Sequence, residues 1–146
     1  ALTEPQKTAL KDSWKLLAGD GKTMMKSGAL LFGLLFKSHP DTKKHFKHFD
    51  DATFATMDTG VGKAHGMAVF TGLGAFVSSI DDDACVNGLA KKLSRNHTAR
   101  GITADDFKLL QGVFKTFLDE ATGKKATNEH KAAWDALLTM LIKAHS

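Results

Sequence analysis

His65 and His97 are the residues of this 146-residue chain with the most chemistry to offer, because each belongs to an apolar stripe of helical period. Reading back from His97, Leu93, Ala90, Leu89 and Val86 fall three and four positions apart. Reading forward from His65, Ala68, Val69, Gly72, Leu73 and Phe76 repeat those intervals. One imidazole on a greasy helix face is ordinarily a core histidine satisfied by hydrogen bonds. Two of them, on separate stripes and backed by phenylalanines, describe a hydrophobic slot with nitrogen ligands in its walls. That is the chemistry of a buried metal cofactor.

Other chemistries are excluded by the motifs they need. No HExxH zinc helix, CxxC pair or GxSxG nucleophile turn occurs. The string TGVGKAHG lacks the first glycine of a phosphate loop, and Ala64 stands where a serine or threonine would hold magnesium. The Gly72, Leu73, Gly74 step follows no strand, so it is no dinucleotide fingerprint. Cys85 is outside any CxxCH, which rules out covalent haem attachment.

What remains is noncovalent binding of a flat, apolar cofactor between two histidine-bearing helices, and haem fits that slot best. His97 coordinates iron through one nitrogen in this reading, and its other N–H bonds to a carbonyl near Leu93 or to Asn96. His65 approaches without bonding the metal and offers an N–H to a diatomic ligand, with Val69 one turn further on setting the room available.

The elements that must position these residues are all helical. Thr3, Pro5 and Gln6 form a capping start for a helix that buries Leu10, Trp14 and Leu17, stopped by Gly19, Asp20 and Gly21. A second helix over about 22–37 buries Met25, Gly28, Leu31, Phe32, Leu35 and Phe36 and breaks at His39 and Pro40. A corner and a looser turn near Thr53 to Met57 lead into a long helix over about 61–80. Asp81, Asp82 and Asp83 then suit the positive end of the helix that carries His97. Thr103, with Asp106, opens a helix burying Phe107, Leu110, Phe114 and Phe117, and a last helix from about Thr127 carries Trp134, Leu137, Leu138 and Leu141. No segment alternates like a strand, so the fold class is all-α. Gly28 and Gly66 each weaken a helix by about 1 kcal/mol relative to alanine. A close crossing of their two helices would supply the reason, and would bring Phe32 and His65 over one pocket.

Composition bounds the rest. The length suits a single domain over 1–146 with a core that needs no disulfide. The net charge of +4 arises from lysines scattered along the chain, with Arg95 and Arg100 the only arginines, so no nucleic-acid partner is expected. No stretch approaches the roughly twenty apolar residues that cross a bilayer, and the start ALTEPQKTAL has no apolar signal core. With a single, passive Cys85, the cytoplasm is the expected location and no membrane is involved.

The strings LFKSHPDTKKHFKHF, KAHGMAVFTGLGAF and LAKKLSRNHTARGI together resemble a globin, and the likeness runs over essentially the whole chain. It is similar above all to the myoglobins of gastropod molluscs. Trp14, Pro40, Phe46, Phe49, His65, Val69, Leu93 and His97 match positions that globins use, in order. The resemblance implies a globin fold of about seven to eight helices around haem b, iron protoporphyrin IX. It implies His97 as the proximal iron ligand and His65 as the distal donor that meets bound O2. Phe46 would lie against the porphyrin, with Phe49, Val69, Leu93, Ile102, Phe107, Leu110 and Leu138 completing the wall. Phe32, His65 and Val69 would bound the ligand pocket.

Three departures from the family pattern carry expectations. Phe32 stands where many globins have leucine and should crowd the distal space. The chain has no tyrosine, so the one that pins the last helix in many vertebrate globins must be replaced by packing. The stretch after His97 is slightly shorter than in vertebrate myoglobin, which shifts the register of Arg100 and Ile102. For the haem propionates, His48, Lys63 and Arg100 are the candidate partners, whereas His39, His45, His130 and His145 read as surface residues.

The function implied is reversible O2 binding for storage or facilitated diffusion, as in muscle, by a non-enzyme that also takes CO and NO. Pseudo-peroxidase or nitric oxide dioxygenase activity is the alternative, and a haem-free helical interaction protein is a third class. Monomer and homodimer remain open.

Overall fold

The computed structural model describes residues 2–146, and the regular elements among the described residues are all helices, without a strand. The helices are α1 (Glu4–Leu17), α2 (Gly21–Ser38), a 3-10 turn (Pro40–His45), α3 (Asp51–Thr56), α4 (Gly60–Ser78), α5 (Asp83–Thr98), α6 (Ala104–Ala121) and α7 (Asn128–Ala144). Helix α2 packs on both α4 and α6, α7 packs on α1 and α6, and the end of α5 reaches α7. Among the described residues no helix is long and apolar enough to cross a membrane.

Side-chain caps decide where the helices start. Thr3 and Gln6 close a reciprocal capping box at α1, as do Thr103 with Asp106 at α6. Asp82 accepts from the Cys85 N–H and so starts α5, as the acidic run predicts. Thr127 opens α7 in a box with His130, which makes His130 a capping residue rather than a bystander at the surface.

The core holds Leu10, Leu17, Leu31, Phe70, Phe117, Trp134 and Leu137, all fully buried. The Trp134 indole N–H donates to Ser13 Oγ at 2.8 Å, and the Ser13 hydroxyl donates to the Ala9 carbonyl, so both buried polar groups are satisfied. Two expectations need correction. Met25 is exposed, because the inner stripe of α2 runs through positions 24, 28, 31 and 35 and Met24 takes the place against the core. The segment near Thr53 to Met57 is a helix, α3, capped by Asp50 on the Thr53 N–H and ended by Met57 at φ 57°. Six residues are too few to show a period.

The crossing of α2 and α4 has the cause that the two glycines imply. A Cβ added at Gly28 would stand 2.6 Å from the Gly66 Cα, and one added at Gly66 would stand 3.3 Å from the Gly28 Cα. The first distance forces the backbones apart; the second asks for a few tenths of an ångström. Against the helix-propensity gain of about 1 kcal/mol at either site, Gly28→Ala should destabilise the protein by about 2 kcal/mol through overpacking. Gly66→Ala should be near neutral. Urea unfolding of both variants checks this, and equal costs would contradict the asymmetry.

Candidate functional site

A cavity of about 970 Å³ opens between α2, α4, α5, α6 and α7, at the large end of the range for ligand pockets. The close α2–α4 crossing delivers Phe32 and His65 to one wall, and the last two turns of α5 deliver Leu93 and His97 to another. Of the residues singled out from sequence, Phe32, Phe46, His65, Val69, Leu93, His97, Ile102, Phe107, Leu110 and Leu138 all line it. Val69, Leu93, Ile102, Phe107 and Leu110 are only half-buried although they point inward, because the cavity leaves their apolar surface uncovered. Uncovered apolar surface inside a fold is a binding surface for an apolar group.

Phe49 does not line the cavity. It is buried behind it, its ring 5.2 Å from Phe46, 5.5 Å from Phe54 and 5.4 Å from His65. It therefore braces the wall and does not form it. Phe32, Phe46 and Phe49 all meet the His65 ring near edge-on, at centroid distances of 4.5, 5.1 and 5.4 Å. Three such contacts hold the imidazole plane in one orientation.

The His65 ring has the most telling polar atom. Its Nε2 is buried and has no hydrogen-bond partner among the described residues. A buried, unpartnered ring nitrogen beside an apolar cavity costs about 1–3 kcal/mol unless a ligand meets it. Burial, then the charges of His48 and Arg100, push the His65 pKa down to about 4, so the ring is neutral at physiological pH. His97 is likewise lowered to about 4, by burial first and then by His145 and Arg100, and a neutral imidazole keeps a lone pair for a metal.

These shifts predict a pH dependence for the chain without a bound group. The unfolded chain takes up the His65 proton near pH 6.5 and the folded one near 4, so stability is full above 6.5 and falls as pH drops towards 4. After discounting for the water that reaches the ring, His65 should account for about 2 kcal/mol of that loss. Urea unfolding at pH 7 and pH 4.5 should show wild type losing about that much more than His65→Leu. A pH-independent difference between them would contradict it.

Lys44, Lys47 and Arg100 bring positive charge to the lining, which His48 also joins. His48 and Arg100 thus sit where an acidic group on a ligand would be met, whereas Lys63 lies outside the lining and pairs with Asp58 at 3.1 Å. Lys44 and Lys47 are additional cations that sequence reasoning passed over; their three-residue spacing in KKHFKHF was the available signal.

Two histidines read as surface residues belong to the site. His45 lines the cavity, and its Nε2 lies 3.1 Å from Asp106 Oδ1. Burial works to raise the Asp106 carboxyl, but the Thr103 backbone N–H and His45 outweigh it and hold the group below the usual carboxylate range. His145 is half-buried, and its Nε2 lies 2.9 Å from His97 Nδ1. The expected bond from His97 to Asn96 or to a carbonyl near Leu93 is therefore replaced by one to α7. The absent tyrosine is likewise answered by a hydrogen-bonded histidine and not by packing alone.

Among the described residues no three metal-ligating side chains converge. The arrangement instead offers single imidazoles on an apolar cavity with cations in its lining. These residues fit haem: an apolar, flat body for the cavity, carboxylates for the cations, and an iron that takes one imidazole.

The globin family model matches residues 29–145. The chain is 76% identical to a globin of Busycotypus canaliculatus over 96% of each chain, and 67% identical to a globin of Tritia mutabilis over 99% of each. It is 31% identical to hemoglobin-3 of Phacoides pectinatus, covering 97% of this chain and 91% of that one. With an all-helical fold, a cavity carrying two histidines and near full-length likeness to molluscan globins, the chain belongs to the globin family.

Proposed function

We propose that this globin binds haem b in its cavity through His97 and uses it to bind O2 reversibly, for storage or facilitated diffusion in the cytoplasm of a tissue such as muscle. The observation that carries the reading is the buried, unpartnered Nε2 of His65, held by three phenylalanines at the wall of the cavity that His97 also lines. When bound, haem supplies an iron with an open position for a diatomic gas. His97 would hold the metal, and His65 would donate its N–H to the gas. His48 and Arg100 would meet the propionates, and Val69, Leu93, Ile102, Phe107, Leu110 and Leu138 would exclude water.

The molluscan hemoglobin among the relatives supports an oxygen-binding role. A non-enzymatic role fits the rings in contact with His65, those of Phe32, Phe46 and Phe49, and an Nε2 hydrogen-bonded to none of the acid–base partners that a dedicated peroxidase needs. The test is an oxygen equilibrium curve of the haem-loaded protein. Reversible uptake of one O2 per chain is expected, and oxidation on the first exposure to air without reversible uptake would overturn the reading.

Phe32 gives a further check on the site. Its ring centroid lies 4.5 Å from that of His65, and both side chains line the cavity. Phe32→Leu should raise the association rates of O2 and CO severalfold, measured by flash photolysis; unchanged rates would show that the ring does not gate entry.

A further inference from the structure

The contact between His97 and His145 has a direction that the atoms determine. His145 stands at the end of α7, and its Nδ1 lies 2.7 Å from the Leu141 carbonyl oxygen. A carbonyl oxygen only accepts, so Nδ1 carries the proton, and in a neutral ring Nε2 is then a bare lone pair. That lone pair lies 2.9 Å from His97 Nδ1. Facing a lone pair, His97 Nδ1 must donate, which leaves His97 Nε2 unprotonated and able to ligate. The opposite direction would need two protons on His145 and would place the His97 proton on the nitrogen that must bind metal.

The rings are held in this relation by a third. Phe107 lies against His145 at a centroid distance of 4.2 Å with 34° between planes, and 5.1 Å from His97. Helix α6 therefore clamps the histidine pair that joins the ends of α5 and α7.

We infer that His145 is a positioning residue for the haem ligand: the chain from the Leu141 carbonyl through His145 to His97 fixes the His97 tautomer and ring plane and presents Nε2 to iron. The inference rests on the proposed reading of His97 as that ligand. An imidazole nitrogen on the far side of a ligating histidine raises its basicity, and loss of such a partner lowers metal affinity by about 10–100-fold. This acceptor comes from the last helix, so the grip on the cofactor depends on the docking of the chain's C-terminal turn.

The test uses the full chain labelled with 15N at histidine, with haem as the diamagnetic ferrous CO form and without haem. A scalar coupling between His97 Nδ1 and His145 Nε2 is expected in both. His145→Phe, which keeps the ring against Phe107, should lose the coupling. In the deoxy ferrous state it should shift the iron–histidine stretching band to lower frequency and speed haem loss about tenfold or more. His145→Gln supplies an amide oxygen to accept from His97 and an N–H for Leu141, and should recover the band and most haem retention. A structural role for α7 alone would not move the band. Absence of the coupling in a protein that takes up haem overturns the relay and leaves the haem reading intact. A protein that shows the coupling but takes up no haem overturns the haem reading, and with it the assignment of His145 to iron. An unshifted band in His145→Phe also overturns the inference.

Discussion

His97→Gly should lower haem affinity by more than about 100-fold while leaving the chain folded. Loss of a hydrogen-bond partner behind a metal ligand already costs about 10–100-fold, and loss of the ligand itself must exceed that. The loss should not be total, because the apolar wall of Val69, Leu93, Ile102, Phe107 and Leu110 still removes the macrocycle from water at roughly 25 cal/mol per Å². The variant leaves a hole one imidazole wide next to His145 Nε2, which can accept from an added imidazole as it accepts from His97. Millimolar imidazole should therefore restore haem binding and the proximal spectrum. Transfer of haem to an acceptor protein, with and without imidazole, measures both effects. Wild-type haem retention in His97→Gly would show that another residue holds the metal.

His65→Val should speed O2 dissociation by about 10–100-fold and change CO dissociation much less. The reason is charge. O2 becomes strongly polarised on binding and CO only weakly, so an N–H held against it is worth about 1.5–3 kcal/mol for O2, and each 1.4 kcal/mol is a factor of ten. Burial and the edge-on rings of Phe32, Phe46 and Phe49 keep the donor fixed and water away, which strengthens the bond. The low pKa of the ring means it donates as a neutral imidazole down to about pH 4. Stopped-flow displacement of O2 by CO gives the rates directly. Equal acceleration for both gases would mean that His65 acts through bulk and not through its N–H.

Much of this site is legible in the sequence because periodicity reports on one helix at a time. The stripes ending at His97 and beginning at His65 are within-helix patterns, and the caps Thr3, Asp82, Thr103 and Thr127 lie within three residues of what they cap. Gly28 and Gly66 are legible for a related reason: a glycine inside a helix has a local cost, and a close approach is its commonest remedy. What periodicity cannot report is pairing between helices. His145 lies 48 positions from His97, at the C-cap of the last helix, and nothing local in the sequence distinguishes it from a solvated histidine. His45 meets Asp106 across a still longer gap, and Asp106 is already accounted for as a cap. Lys63 shows the opposite failure. Its place two residues before His65 suggests the cavity mouth, but Asp58 lies nearer and takes it. Phe49 matches the family pattern, yet a ring separation of 5.2 Å from Phe46 puts it one layer back.

The most direct test of the central claim is the absorption spectrum of the purified, haem-loaded protein in ferric, dithionite-reduced, CO-bound and air-equilibrated ferrous forms. One haem per chain, a five-coordinate reduced spectrum, and conversion to distinct O2 and CO forms that reverse when the gas is removed are the predicted result. Failure to take up haem, or a six-coordinate reduced spectrum with His65 and His97 both on the metal, would contradict it.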